Sequence, residues 1–407
     1  MAETLKTLAN GLRVMLVPCE AESVAIGLFV ASGSRHETAK TAGISHFIEH
    51  MLFKGTATRT PFDLTREIEG RGGMVNACTG EESTCFYCHL PDECLAIGVE
   101  ILADMYLHAS IDAEEFAREK EVVIEEIRMY DDDPESVAGE NLQRALFPGC
   151  QLGEPVAGSE KSLRAMKPGD LKRYIKAHYR PDNTIAVIAG AFDEAAALKA
   201  LAPLAKLRPS KTREASPLTL APVAGEVTAR RDVKQAQLAL GFRTFGLGDP
   251  RRYAATVLNG VLGQGMMSRL FQEVREKRGL SYDISSRMQF FDDAGIFSVT
   301  AGMDPSKREP ALRTIDRELR RVCERRIGAE ELRRTKDYLI GNFRLSHEKI
   351  VSKMFFHGAT LLSYGRPVPI AEQVAALRAV TPEEVRETAR AIFAPANRAV
   401  SWVLPKI

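Results

Sequence analysis

The order of apolar and polar positions divides the chain into strand-like and helix-like segments. Strand-like alternation occurs early, in "LRVMLVP", and "GGMVNACTGEESTCFYCHLP" predicts a strand, a glycine-containing turn and a second strand. Helical periodicity follows in four segments that begin near Pro91, Asp112, Pro134 and Pro168. We expect these four amphipathic helices to cover one face of an antiparallel-rich sheet.

The second half of the chain repeats the pattern of the first half. The segment "MKPGDLKRYIKAHYRPDNTIAVIAG" resembles "VTPEEVRETARAIFAPANRAVSWVLP", with Asn183 and Asn397 at equivalent places 214 residues apart. A second match pairs "DAEEFAREKEVVIEEI" with "GAEELRRTKDYLIGNF" at an offset of 216 residues. The chain is therefore predicted to be α+β, with two duplicated domains that each contain an antiparallel-rich mixed sheet covered by helices.

A polar, proline-bearing segment separates the two halves. At 407 residues the chain is too long for one compact core. The stretch "LRPSKTREASPLTLAP" has the composition of a linker. We predict a first domain at residues 1–206, a linker at 207–222 and a second domain at 223–407.

Composition excludes several classes of function. Lys and Arg number 55 against 54 Asp and Glu, so no basic surface for nucleic acid or acidic membranes is expected. Apolar runs stay well below the ~20 residues of a membrane-spanning helix. The N-terminus lacks a signal-peptide pattern, and seven irregularly spaced cysteines indicate a reducing compartment, which predicts a cytoplasmic protein. Cys85 and Cys88, three apart on a strand, should point to opposite faces and form no chelate.

The stretch "GISHFIEHMLFKGT" places two histidines and a glutamate in an otherwise apolar helix. His46 and His50 are four residues apart and share a helix face, as in many zinc chelates. Glu49 lies beside them, where a free carboxylate can take a proton from metal-bound water. The alternative is a pair of core histidines with a chance glutamate nearby.

A catalytic zinc needs a third protein ligand, and an acidic helix from Asp112 to Met129 offers candidates. Glu119 and Glu126 are two turns apart on one edge of its expected apolar stripe, which consists of Phe116, Val122, Val123 and Ile127. Either carboxylate could face a metal, and the other glutamates of the helix should face solvent. The alternative is that the whole acidic run is a solvated face.

The H-x-x-E-H pattern, followed 76 residues after its second histidine by a glutamate in "EKEVVIEEI", resembles the inverzincin peptidases. This is the family of pitrilysin, insulin-degrading enzyme and mitochondrial processing peptidase. The resemblance covers nearly the whole chain, including "SGSRHE", "GGMVNACTGEES" and "LFQEVREKRGLSY". It is strongest to the family's members with one pair of domains per chain.

The resemblance implies roles for the residues at the matching positions. His46, His50 and Glu126 match the zinc ligands, Glu49 matches the catalytic base, and Glu119 matches an accessory glutamate. The corresponding positions of the second half hold residues that cannot bind zinc: Asn259, Leu262, Gly263 and Asn342. One Zn²⁺ per chain is therefore expected.

Substrate-holding residues are implied in both halves. Arg275 and Tyr282 in "VREKRGLSYD" match an arginine and a tyrosine that hold substrate and stabilise the developing oxyanion. Without the resemblance, they would be interpreted as a surface ion pair and a half-buried strand tyrosine. Asn76 and Ala77 in "MVNACT" match an edge strand that pairs with an extended peptide.

These expectations together predict a zinc endopeptidase that acts on peptides or unfolded precursor segments. In the long members of the family four domains form a clamshell chamber, so this two-domain chain should supply half of one and act as a homodimer. We expect Arg275 and Tyr282 of one chain to complete the zinc site of the other. The alternative is a non-catalytic assembly subunit of the same family. Peptide scavenging and processing of defined precursors both remain open.

Overall fold

The computed structural model describes residues 3–209 and 218–406, and the chain divides into two compact units. Each unit is built on one β-sheet with apolar clusters on both of its faces. The predicted α+β class with two helix-covered sheets is confirmed.

The first unit contains a mixed sheet from the first half of the chain. Its strands are β1 (Thr4–Thr7), β2 (Arg13–Pro18), β3 (Ser23–Val30), β4 (Met74–Thr79), β5 (Thr84–Pro91) and β6 (Thr184–Gly190). Among the described residues they form a six-stranded sheet in the order β1-β2-β6-β3-β5-β4. Strands β2 and β6 are parallel and the other neighbours are antiparallel. Strand β4 is last in the order and lies at one edge of the sheet.

The helices of the first half lie between β3 and β4, between β5 and β6, and after β6 in the chain. They are α1 (Ile44–Leu52), α2 (Pro61–Glu69), α3 (Leu95–His108), α4 (Ala113–Asp132), α5 (Pro134–Leu146), α6 (Glu160–Ala165), α7 (Pro168–His178) and α8 (Glu194–Ala200). Buried side chains of α1, α3 and α4 pack on one face of the first sheet, among them Phe47, Leu102 and Val123. This face carries the candidate metal centre.

The second unit repeats the arrangement with a five-stranded sheet among the described residues. Its strands are β7 (Glu226–Arg231), β8 (Ala236–Thr244), β9 (Asp283–Phe290), β10 (Gly295–Met303) and β11 (Arg398–Pro405), in the order β7-β11-β8-β10-β9. Its one parallel pair among the described residues is β7 with β11. The helices of this half are α9 (Arg252–Gly263), α10 (Arg308–Glu324), α11 (Ala329–Ser346), α12 (Ile350–Tyr364), α13 (Ile370–Ala379) and α14 (Pro382–Ile392).

The two units are not contiguous halves, because Leu345–Val368 belongs to the first unit and Arg128–Glu154 to the second. Helix α12 packs on the second face of the first sheet, where Gly358 lies so close to Phe29 that an added Cβ would meet its ring at 2.4 Å. Helix α5 buries Leu142 on β8 and β11. The prediction that the helix from Pro134 covers the first sheet is therefore wrong.

Part of the predicted linker, residues 210–217, lies outside the described residues.

Equivalent hydrogen bonds recur in both units. The side-chain amide of Asn183 donates to the carbonyl of the last residue of α7 at 2.9 Å, and Asn397 does the same for α14 at 3.2 Å. Lys120 donates at 2.9 Å to the carbonyl two residues before α7, and Lys336 donates to the carbonyl two residues before α14. These pairs support the duplication inferred from the sequence.

None of the described helices is both long enough and apolar enough to cross a membrane.

Candidate metal centre

Helix α1 presents both histidines of the H-x-x-E-H pattern on one face. Its opposite face is buried in the core, where Ile44, Phe47 and Ile48 have no exposed surface. Because residues four apart share a helix face, the imidazoles of His46 and His50 lie side by side with ring centroids 4.7 Å apart. The buried face therefore fixes the direction in which the two histidines point.

Glu37 fixes the start of α1. One of its carboxylate oxygens accepts a hydrogen bond from the Gly43 N–H at 2.7 Å, and the other accepts one from the Ser45 N–H at 2.8 Å. Gly43 has a φ of 88°, and an added Cβ would meet the Ala157 carbonyl oxygen at 2.4 Å, so glycine is required there. Burial raises the pKa of Glu37 to about 7, against the lowering effect of these hydrogen bonds. No local sequence pattern indicates this role of Glu37.

Helix α4 brings the acidic candidates to the same place. Phe116 and Ile124 are buried, whereas Val122 is 52% exposed, so the predicted apolar stripe is wrong at Val122 and Ile124 takes its place. Glu119 is 5% exposed and Glu126 is half-buried on the same side of the helix, two turns away. The side chains of both glutamates turn towards the histidines of α1.

Three ligand atoms converge between α1 and α4. Among the described residues, His46, His50 and Glu126 form the group of metal-binding side chains whose ligand atoms all lie within 4.8 Å of one another. Oε2 of Glu126 is 3.7 Å from Nε2 of His46 and 3.3 Å from Nε2 of His50. Two ligand atoms on a tetrahedral zinc at ~2.1 Å are roughly 3.4 Å apart. The donor set and its spacing fit zinc.

His50 is oriented from behind by Glu119. The Nδ1–H of His50 donates to Oε1 of Glu119 at 2.8 Å, which leaves Nε2 as the free nitrogen that faces Glu126. The other oxygen of Glu119 lies 2.6 Å from Nζ of Lys54. Burial raises the pKa of Glu119, but the hydrogen bonds from His50 and Lys54 outweigh it and lower the pKa overall. No sequence pattern indicates this contact of Lys54, because only the folded chain brings it to Glu119.

The two histidines differ in their tendency to bind a proton. Burial and the neighbouring His50 lower the pKa of His46 to about 4, although Glu126 opposes this. Burial also lowers the pKa of His50, but the hydrogen bond to Glu119 and the carboxylates around it raise the pKa overall. At neutral pH His46 is therefore in the neutral form that binds a metal. A metal binds Nε2 of His50 only when that nitrogen carries no proton.

Glu49 stands one residue before His50, on the side of α1 that faces strand β4. Its Oε2 accepts a hydrogen bond from the hydroxyl of Thr79, the last residue of β4. Burial raises the pKa of Glu49, and the charge of Glu126 adds to this, while Thr79 and His50 lower it. A carboxylate with a raised pKa is a stronger proton acceptor, which is what a general base near neutral pH requires.

Strand β4 is the edge strand of the first sheet. Asn76 is exposed and Ala77 is half-buried in its middle, and the Asn76 side chain accepts a hydrogen bond from the Ala77 N–H at 2.8 Å. The turn that follows β4 is held by Arg35, whose guanidinium pairs with Glu82 and whose N–H donates to the Glu81 carbonyl at 2.8 Å. The "SGSRHE" segment therefore contacts both the start of α1 and the end of the edge strand.

Arg275 and Tyr282 come together in the second unit. The guanidinium of Arg275 lies 4.7 Å from the ring centroid of Phe271 and 5.0 Å from that of Tyr282. Gly279, at a φ of 55°, turns the chain between them, and its N–H donates to the Arg275 carbonyl at 2.9 Å. Tyr282 is 80% exposed, and the side chain of Arg275 is 35% exposed.

The second unit carries no matching metal ligands at the corresponding place. Asn259 is buried, and its side-chain oxygen accepts a hydrogen bond from Ser286 at 2.7 Å. Gly263 packs so tightly that an added Cβ would meet the Ser286 nitrogen at 2.4 Å. Asn342 on α11 is exposed. The geometry leaves no room here for a second histidine pair.

Comparison with known proteins places both halves in one family. Residues 13–160 match the family described as insulinase (peptidase family M16), and residues 165–339 match the peptidase M16 inactive domain. The uncharacterized zinc protease YmxG of Bacillus subtilis is 34% identical over 388 residues, which cover 95% of each chain. The uncharacterized zinc protease ML0855 of Mycobacterium leprae is 35% identical over 395 residues, or 95% of this chain and 88% of the relative.

Solved structures agree with the fold. A protease from Helicobacter pylori superposes with a TM-score of 0.93 at 20% identity, over 99% of each chain. A peptidase M16 inactive domain from Pseudomonas fluorescens superposes with a TM-score of 0.91 at 19% identity, over 100% of this chain and 99% of that one. Sequence relatives over nearly the full length confirm the predicted membership: this chain belongs to the M16 peptidases, the inverzincin family, as one of its two-domain bacterial-type members.

Proposed function

We propose that the chain is a zinc-dependent endopeptidase acting on peptides or unfolded segments. The observation that carries the proposal is the convergence of the two Nε2 atoms of His46 and His50 on Oε2 of Glu126. Two relatives named zinc proteases, with 34% and 35% identity over 95% of the chain, add support.

His46, His50 and Glu126 would hold the metal and leave one position open. Zinc bound there would polarise the scissile carbonyl and lower the pKa of a bound water towards ~7. Glu119 would keep His50 in the tautomer that offers Nε2, with Lys54 balancing the charge of the carboxylate.

Glu49 would act as the general base. Its carboxylate would take a proton from the attacking water and pass it to the leaving amine. The hydroxyl of Thr79 donates to Oε2 of Glu49 and would hold the carboxylate in one orientation. Because Thr79 ends strand β4, the orientation of Glu49 would be tied to the strand that we assign to the substrate.

The substrate would bind as an added strand on β4. Its backbone would pair with the outer edge of β4 near Asn76 and Ala77, which uses main-chain hydrogen bonds and tolerates many side chains. Arg275 and Tyr282 would donate to the carbonyl oxygen as it gains charge. We propose that they come from a second copy of the chain in a homodimeric chamber, since one chain carries only half of the domains in the long family members.

The Glu49→Gln variant tests the proposal. It should bind zinc at the wild-type ratio, measured by plasma emission, and cleave a dye-quenched library of unstructured peptides about 10²–10⁴-fold more slowly. Glu69→Gln, the same change at an exposed position of α2, is the matched control and should cleave normally.

Two results would count against the proposal. Cleavage by Glu49→Gln at the wild-type rate would show that Glu49 is not the general base. Less than ~0.2 zinc per wild-type chain after gentle purification would favour the non-catalytic assembly subunit instead.

A further inference from the structure

Two cysteines face each other across the edge hairpin of the first sheet. Cys78 on β4 is directly opposite Cys85 on β5 in the antiparallel register. Residues that oppose each other in an antiparallel pair point to the same face of the sheet. The side chains of Cys78 and Cys85 are therefore neighbours on one face of the sheet.

The register satisfies the geometric requirement for a disulfide. Opposed Cα atoms in antiparallel strands are about 4.5–5.5 Å apart, within the roughly 4.4–6.8 Å that a disulfide spans. Cys88, the other cysteine of β5, packs on the opposite face of the sheet and is opposite Val75. Cys85 is therefore the cysteine of β5 that can reach Cys78.

The two thiols differ in access to solvent. Cys78 is exposed on the edge strand, whereas Cys85 is 3% exposed. The hydrogen bond with Cys85 lowers the pKa of Cys78, and burial raises the pKa of Cys85 well above its ordinary value. An accessible thiol with the lower pKa reacts first, and a buried neighbour can then resolve the product.

We propose that Cys78 and Cys85 form a reversible thiol–disulfide site that responds to peroxides. The thiolate of Cys78 attacks a peroxide oxygen, which breaks the O–O bond, gives a sulfenic acid and releases water once the thiol proton is transferred. The thiol of Cys85 then attacks the sulfenic sulfur, forms the S–S bond and releases a second water. Two thiols and one hydrogen peroxide thus give one disulfide and two waters, with two electrons passing from sulfur to oxygen.

The site protects an exposed position on the strand that we assign to the substrate. Cys78 lies between Ala77 and Thr79, and Thr79 holds Glu49. Without a partner, the sulfenic acid of an exposed cysteine continues to the sulfinic acid, which thiol reductants do not reverse. The opposed Cys85 would stop the oxidation at the disulfide, and a dithiol would restore both thiols.

Mass spectrometry of the zinc-loaded full chain tests this. After hydrogen peroxide treatment and alkylation, trypsin and glutamyl endopeptidase cut after Arg71, between Cys78 and Cys85 at Glu81 or Glu82, and after Glu93. We expect the fragment with Cys78 to be linked to the fragment that contains Cys85 and Cys88, and dithiothreitol to separate them.

Two variants distinguish the partners. Cys88→Ser should keep the link, whereas Cys85→Ser should lose it and accumulate sulfinic acid on Cys78 at least several-fold faster than wild type. The proposal is overturned if Cys85→Ser keeps the link. It is also overturned if wild-type Cys78 is overoxidised as fast as in Cys85→Ser.

Discussion

The Nδ1–H of His50 donates a hydrogen bond of 2.8 Å to Oε1 of Glu119, a residue 69 positions further along the chain. The contact joins α1 to α4 and sets which ring nitrogen of His50 is free. Metal-binding histidines depend on such partners for orientation and basicity. The strength with which the site holds zinc should therefore depend on Glu119, although its carboxylate is not one of the three converging ligands.

Glu119→Gln should weaken zinc binding about 10–100-fold. The amide can still accept from His50, but it lacks the charge that favours a basic Nε2. Competition with a chromophoric chelator measures the affinity. Glu121→Gln, an exposed neighbour on α4 that pairs with Arg164, is the matched control and should bind zinc normally. Equal affinities for all three proteins would contradict the role of Glu119.

Lys54→Met should weaken zinc binding by a smaller factor, on the order of two- to tenfold. The ammonium contacts Glu119 at 2.6 Å, and its loss removes one of the two hydrogen bonds that lower the pKa of Glu119. Lys54→Arg keeps the charge and should restore most of the affinity. The same chelator competition applies, and a Lys54→Met protein that binds zinc more tightly than wild type would refute this chain of contacts.

Glu37→Gln should change how stability depends on pH. The pKa of Glu37 is about 7 in the folded chain and about 4.5 when unfolded, so between these values only the folded state keeps the proton. Raising the pH across this interval therefore lowers the free energy of unfolding of wild type, by on the order of 3 kcal/mol in total. In Glu37→Gln one of the two carboxylate oxygens that accept hydrogen bonds is replaced by an amide nitrogen, but the free energy of unfolding no longer depends on the ionisation of residue 37.

Urea unfolding of both proteins from pH 4.5 to 7.5, with a chelator present so that zinc release does not contribute, gives the comparison. As the pH rises, the free energy of unfolding of wild type should fall relative to that of Glu37→Gln. Parallel curves would mean that the pKa of Glu37 is the same in the folded and the unfolded chain.

A mixture of Glu49→Gln and Arg275→Ala tests the proposed dimer. Each variant should be inactive alone. After equal amounts exchange subunits, half of the dimers are mixed, and one site in each has an intact Glu49 and an intact Arg275 if the two act across chains. Roughly a quarter of wild-type activity should return. Size measurements must show exchange, and activity that stays at the level of the single variants would place the pair within one chain.

The sequence was informative where a chemical pattern is local. His46, Glu49 and His50 are within one helical turn, so their common face follows from helix geometry alone. Helical periodicity limited the candidates for the third zinc ligand to Glu119 and Glu126. The family resemblance then selected Glu126. Lys54 and Thr79 could not be found this way, because their contacts with Glu119 and Glu49 depend on how α1 packs on α4 and β4.

The fold shows the same division between local and distant information. The duplicated strand and helix patterns predicted both sheets. They could not predict which sheet a helix covers, since the apolar face of α5 would suit either. Opposed Cys78 and Cys85 were also missed, because strand register depends on the length of the turn between them.

The exchanged helices α5 and α12 mean that the duplicated halves are no longer separable modules. A proteolytic cut between residues 209 and 218 would leave a fragment with strands β1 to β6 but without α12. Its sheet would expose Met15, Val17 and Phe29 to water. The other fragment would lose α5 and expose the face of its own sheet on which α5 packs. Genetic recombination at this point would likewise pack each sheet against a helix from the other parent. Substitutions in either sheet must therefore remain compatible with the helix that the other half of the chain provides.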